Sequence, residues 1–378
     1  MNKTTKTILW LVVAIIIIVG VWYGVSRKPT APTTRKPIKI GYLAVLSGPA
    51  AQVWGFYGRD AAEMAVEEIN ARGNIKLELI LGDSAAKPEQ GVTEFKKLNE
   101  INNPDVIIVD ASGVGSAIAP IADQYKKPVI FGAVALKGIT KQSDYLFRNF
   151  YLCDQSAPLL AEKTYTKLGI KKVAVLSAKE PYAESCFNEF KSKFNSLGGE
   201  LVSEEHFLMT DSDFRTQLTK IKNTNAEAIY IIGYENALKE IVKEMKELKI
   251  NKTLLAEMVL YAPVIRDEIV SNTNPPEVYM TVTNFYLGSE KANEFKNKFK
   301  EKYGKEPPYL AGYIYDTIYV IAKAAEISRA KNIPLKEALK EVEIDGVSGY
   351  LKFNENRETI STMEFVKLNK DGSLLIIK

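Results

Sequence analysis

From Pro37 onward, short apolar runs alternate with segments in which apolar residues recur every three or four positions. Ile38–Val45 reads as a buried strand, and 55–72 as a helix whose Ala61, Met64, Ala65 and Ile69 share one face. Leu77–Leu81 is the next strand, and Pro88 opens the next helix, where its missing N–H costs nothing. Strand Val106–Val109, helix Val114–Tyr125 and strand Pro128–Phe131 continue the alternation. The rhythm then restarts with helix 156–168, strand Val173–Leu176, helix 183–197, strand Glu200–His206, helix 213–222 and strand Ala228–Ile232. Apolar strands separated by helices predict parallel sheets covered on both faces. The restart predicts an α/β chain of two doubly wound parallel-sheet lobes. In such sheets ligands sit beyond the carboxyl ends of the strands. Two lobes facing each other therefore predict a cleft that closes around a small molecule.

Ahead of this pattern lies a different one. Ile8–Val25 runs 18 residues without a charge, just enough to cross a hydrocarbon core of roughly 30 Å as a helix. It is longer than the apolar region of a cleaved signal peptide, about 7–15 residues, and no small-x-small site follows it. Trp22 and Tyr23 sit at its outer end, where amphipathic rings favour the headgroup level. The expectation is an N-terminal transmembrane helix acting as an uncleaved signal anchor, with residues 1–25 as tail and anchor. Residues 26–37, with three prolines and no large apolar side chain, form a stiff, extended spacer.

This leader changes the meaning of the charge. The chain carries 50 Lys+Arg against 46 Asp+Glu, a net of +4. Lys3, Lys6, Arg27, Lys28, Arg35 and Lys36 fall in residues 1–37, which contain no acid, so the remaining 341 residues hold 44 bases and 46 acids. The globular part is slightly acidic, and no helix-turn-helix segment precedes Ile38, so no nucleic-acid partner is expected. The basic residues flank both ends of the apolar run, so charge alone does not orient it in the membrane.

Candidate chemistry is sparse. His206 is the only histidine, which excludes a multi-histidine metal site, and it sits in a charged strand end. Cys153 and Cys186 are too few for a disulfide-dense scaffold or a four-cysteine zinc site. Two buried free thiols are expected, with a single bridge as the alternative. No phosphate loop, nucleophile elbow or catalytic triad occurs, so neither enzyme activity nor a cofactor is expected. The loop after the third strand, Ala111-Ser112-Gly113-Val114-Gly115-Ser116, opens a helix; its free N–H groups and hydroxyl suit a carboxylate, though an ordinary helix cap has the same composition. Ser47-Gly48-Pro49 leads to Trp54, and Tyr182 and Tyr234 each follow a strand of the second lobe, where an aromatic could close over a ligand.

Several of these segments come together in one family. Ile38-Lys39-Ile40-Gly41, Leu46-Ser47-Gly48-Pro49, Ala65-Val66-Glu67-Glu68-Ile69-Asn70, Gly82-Asp83, Ser112-Gly113-Val114 and Ala119-Pro120-Ile121-Ala122 closely resemble the type I periplasmic binding proteins. More narrowly, they resemble the leucine/isoleucine/valine-binding branch that serves ABC importers. Gly346-Val347-Ser348-Gly349 and Phe353, before two final strands, fit as well. The resemblance implies a three-crossover hinge near residues 149, 283 and 345, with lobe 1 formed by 38–148 plus 283–344 and lobe 2 by 149–282 plus 345–378. It places the ligand carboxylate on Ser112 and on the backbone of Ala133, Val134 and Ala135, the aromatics on Trp54, Tyr182 and Tyr234, and an α-ammonium group on Glu257. Ala135 stands where amino-acid binders of the family usually have threonine, which weakens an amino-acid assignment. Ala86 and Ala111 stand where some relatives have a disulfide. The implied function is that of an extracytoplasmic, membrane-tethered receptor. It would capture an amino acid or related small polar carboxylate by lobe closure and hand it to ABC permease subunits. The alternative is a ligand-sensing ectodomain partnering a separate signalling protein.

Overall fold

The first sheet is built from β1 (Ile38–Ala44), β2 (Leu77–Asp83), β3 (Val106–Asp110), β4 (Val129–Ala133) and β5 (Leu146–Arg148) in the order β2-β1-β3-β4-β5. All its pairings are parallel, with Ile40 opposite Leu79 on one side and Val106 on the other. Every residue of β3 and β4 is buried, as expected for central strands with helices on both faces. Helix Phe56–Arg72 buries the predicted face of Ala61, Met64, Ala65 and Ile69. This is a computed structural model, and it describes residues 36–378 apart from Pro49 and the side chains of Val53 and Trp54. The expected membrane segment Ile8–Val25 lies outside the described residues. Among the described residues no helix is long and apolar enough to cross a membrane.

The second sheet contains β6 (Lys172–Ala178), β7 (Glu200–Phe207), β8 (Ala228–Ile232), β9 (Thr253–Ala256) and β10 (Val278–Thr283), with β13 (Met363–Leu368) and β14 (Leu374–Ile376) at its far edge. The order is β14-β13-β10-β9-β8-β6-β7. The five earlier strands are parallel, and the last two pair antiparallel. A hairpin of β11 (Glu343–Asp345) and β12 (Tyr350–Lys352) precedes them.

One predicted helix differs. Val114–Tyr125 is a seven-residue α-helix, Ser112–Ile118, followed by a tighter helical turn, Ala119–Gln124. Pro120 lacks the N–H that would continue the α-helical ladder. Gly115 in that helix has no room for a side chain, since a Cβ there would lie 2.8 Å from Val134 Cγ2. Gly115 therefore lets the helix come close to the end of β4.

The chain passes from one sheet to the other after β5, after β10 and before β13. After β10, helices Glu290–Tyr303 and Tyr309–Lys331 return to the first sheet's side, where the Tyr315 and Tyr319 hydroxyls both donate to Glu68 Oε2 at 2.6 Å. Buried Asp316 on the long helix then holds the last passage. It accepts from the Val347 and Ser348 N–H groups at 2.9 and 2.8 Å and from the Ser348 hydroxyl. Gly346 is required there, because a Cβ would fall 2.6 Å from the Asp316 carboxylate.

Candidate functional site

The carboxyl ends of β3 and β4 form one wall of a narrow cavity. β3 ends in Asp110, which is buried and accepts a 2.5 Å hydrogen bond from the Tyr42 hydroxyl. Burial pushes its carboxyl up to about 7, against the pull of that hydrogen bond. The next residue, Ala111, takes φ +70°, a conformation that alanine rarely adopts. This sharp turn points the chain into the helix beginning at Ser112, which is 3% exposed. The Ser112 hydroxyl accepts from the Ala135 N–H at 3.2 Å, joining the ends of β3 and β4. Ala111, Ser112, Ala133 and Ala135 line the cavity, together with Tyr309 and Leu310 from the long helix.

The opposite wall is aromatic. Phe150 and Tyr151 come from the first passage between sheets, and Tyr182 and Tyr234 follow β6 and β8. The Tyr182 and Tyr234 rings are 5.5 Å apart, and the Tyr151 hydroxyl donates to the Tyr182 hydroxyl at 3.0 Å. Glu180 organises this pair. Its carboxylate caps helix Pro181–Ser196 by accepting from the Tyr182 and Ala183 N–H groups at 3.0 and 2.7 Å, and it also accepts from the Tyr234 hydroxyl at 3.3 Å. The space between the walls is about 30 Å³, below the roughly 300–1,000 Å³ of small-ligand sites.

Cys153 and Cys186 are not free thiols. They form a disulfide linking the first residue of helix Cys153–Thr166 to helix Pro181–Ser196. Both side chains are fully buried and face each other across packed helices, a proximity that spacing of 33 residues in sequence does not reveal. The Cys153 sulfur lies 3.7 Å from the Tyr182 carbonyl oxygen, directly behind the aromatic wall.

The expected site residues divide clearly. Ser112, Ala133, Ala135, Tyr182 and Tyr234 meet in the cavity, whereas Val134 is buried next to it and turned into the core against Gly115. The Trp54 side chain lies outside the described residues. Glu257 does not line the cavity. It is buried in the second lobe, where the Tyr230 hydroxyl donates to it at 2.8 Å and the Thr281 hydroxyl at 3.2 Å. The acid that does line the cavity is Glu235, the first residue of helix Glu235–Glu247. Phe150, Tyr151, Glu235, Tyr309 and Leu310 are the lining residues that sequence reasoning missed. Glu235 had the strongest available signal, standing next to Tyr234 at the end of the same strand. His206 is exposed on β7, edge-on to the Phe187 ring at 5.9 Å, and among the described residues no group of three or more His, Cys, Asp or Glu could hold a metal.

Residues 37–373 match the profile of the family described as periplasmic binding protein. The chain belongs to that family. One relative, Leu/Ile/Val-binding protein BraC3 of Rhizobium johnstonii, is 27% identical over 61% of this chain and 64% of its own; the chain thus spans a little under two thirds of that protein. Among solved structures, the branched-chain amino acid transporter substrate-binding protein LivJ of Streptococcus pneumoniae, in complex with isoleucine, superposes with a TM-score of 0.79 at 24% identity, covering 90% of this chain and all of that one. A solute-binding protein of an ABC transporter from Rhodopseudomonas palustris, in complex with 3,4-dihydroxybenzoic acid, gives 0.79 at 23% identity, with 90% and 96% covered. At these identities the structural matches establish the fold shared by the family. In this periplasmic binding protein, hydrogen-bonding groups at the strand ends of one sheet face tilted tyrosine rings that follow strands of the other across a narrow cavity.

Proposed function

We propose that this protein is the solute-binding receptor of an ABC importer, capturing a small carboxylate, an amino acid or a close analogue, between its lobes. The observation that carries this reading is the cavity walled from both sheets, with the Ser112 hydroxyl and the backbone of Ala133–Ala135 opposite the rings of Tyr151, Tyr182 and Tyr234. The ligand carboxylate would replace the Ser112–Ala135 hydrogen bond with its own bonds to both groups. The apolar part would lie against the rings. Such a ligand bridges the lobes and selects the closed arrangement. Its partners would be the permease subunits that accept the released ligand. The domain would be held outside the cytoplasm by Ile8–Val25. The disulfide supports that compartment, since such bridges persist in oxidising environments.

A second reading, an aromatic carboxylate as ligand, is favoured by the number of rings on the cavity wall. Native mass spectrometry of the detergent-solubilised full chain, followed by thermal melting with amino acids and hydroxybenzoates, separates the two. A bound carboxylate should raise the melting temperature and shrink the radius of gyration in scattering. Absence of both changes with every carboxylate of a broad panel would refute the receptor reading. Release of the full chain from membranes by alkaline extraction would refute the tether.

A further inference from the structure

Glu235 is 4% exposed, and among the described residues it forms no ion pair and its Oε2 atom has no hydrogen-bond partner. An isolated carboxylate removed from water is strongly unfavourable unless a cation or a proton accompanies it. Glu257, the acid expected to serve the ligand, already has hydroxyl donors on both oxygens. Glu235 lines the inner cavity with Tyr182 and Tyr309 and also lines a second, outer cavity of about 330 Å³. The described lining of that outer cavity includes Asp211 and Glu240 and contains no lysine or arginine. Glu240 is itself paired with Lys243 at 2.8 Å, so Asp211 carries the acid character of this entrance, which leads to one buried carboxylate oxygen without a partner among the described residues.

We propose that Glu235 is a cation subsite of the cleft, which selects ligands carrying a positively charged nitrogen in addition to their carboxylate. This inference rests on the receptor reading above and narrows its substrate class. The nitrogen is either an α-ammonium group or a cationic side-chain group; both satisfy the same oxygen. Burial also pushes the Glu235 carboxyl up to about 7.

The test is calorimetric titration of the full chain and of Glu235→Gln with leucine, arginine, agmatine and 4-hydroxybenzoate. The expected result is that at least one nitrogen-bearing probe binds the wild type and that Glu235→Gln weakens it by about tenfold or more. Any binding of 4-hydroxybenzoate should be unchanged or strengthened by the same substitution. Preference for leucine would identify the α-ammonium group, and preference for arginine together with agmatine would identify a side-chain cation. Glu235→Asp, which retains the charge but withdraws it by one methylene, should fall between the two and serves if the amide variant does not fold. The inference is overturned if nitrogen-bearing probes bind Glu235→Gln as they bind the wild type, or if 4-hydroxybenzoate alone binds; in either case the receptor reading survives. If no carboxylate of any kind binds the wild type, both readings fall.

Discussion

Asp110, Glu235 and Asp316 are buried acids, and each has its carboxyl raised by burial: the first two up to about 7, the third up to about 6. In the unfolded chain their values return to about 4. Between these limits the folded, ligand-free protein binds more protons than the unfolded one, so its stability falls as pH rises. Melting of the ligand-free chain across pH 4.5–8 should therefore show a higher midpoint near pH 5 than near pH 8; a midpoint that climbs steadily over this range would contradict the assignment. The residue scale is also where sequence reasoning was least complete. Ser112, Ala133, Ala135, Tyr182 and Tyr234 were legible because each follows a buried strand, where α/β sheets bind ligands. Glu235 and Glu257 also both follow strands, β8 and β9, and nothing local distinguishes them. Only packing decides that the Tyr230 and Thr281 hydroxyls occupy Glu257 and leave Glu235 open to the cavity.

At the scale of elements, the aromatic wall depends on how two helices start. Helix Cys153–Thr166 begins two residues after Tyr151, and helix Pro181–Ser196 carries Tyr182 in its first turn. The Cys153–Cys186 bridge ties these two helices together. Replacing both cysteines with serine should destabilise the chain by about 3–4 kcal/mol, from the entropy regained by an unfolded loop of this length. Thermal melting with and without reductant measures it: the wild type should lose a similar amount on reduction, and the double variant should not respond to reductant. Equal melting of oxidised wild type and double variant would mean that the bridge only decorates a packing already complete. The periodicity in the sequence identified both helices, but not their mutual distance, because two half-buried helix faces pack in many registers with the same pattern.

At the scale of the whole binding unit, the passages between sheets are bound to each other. Arg148, at the end of β5, is fully buried and pairs with Glu358 at 2.8 Å, while Glu358 also accepts from the Thr140 hydroxyl at 2.7 Å. The Arg148 backbone donates to the Arg357 carbonyl oxygen at 2.9 Å and accepts from the Thr359 N–H at 3.0 Å. Asn149 adds side-chain bonds to Thr317 and Thr359 at 3.1 Å each. The first and last passages are therefore bonded directly to each other. Glu358→Ala leaves the Arg148 charge buried without its partner and should destabilise the chain by about 3–5 kcal/mol. Chemical denaturation checks this, and Arg148→Met combined with Glu358→Leu should recover much of the loss. A single variant as stable as the wild type would show that water reaches Arg148 and that the pair is not a constraint.

The strand-and-helix alternation, the two parallel-strand arrays, the family and the strand ends that line the cavity were legible in the sequence. Those follow from burial and backbone geometry, which act on residues close in the chain and leave a period or a turn residue at each place. Tertiary structure alone decided that the two cysteines meet, that Phe150, Tyr151 and Tyr309 complete the cavity, and that Glu235 rather than Glu257 faces it. Each of these depends on the distance between groups separated by many residues, and a hydroxyl donor from a neighbouring strand is invisible in the local pattern of the acid it satisfies.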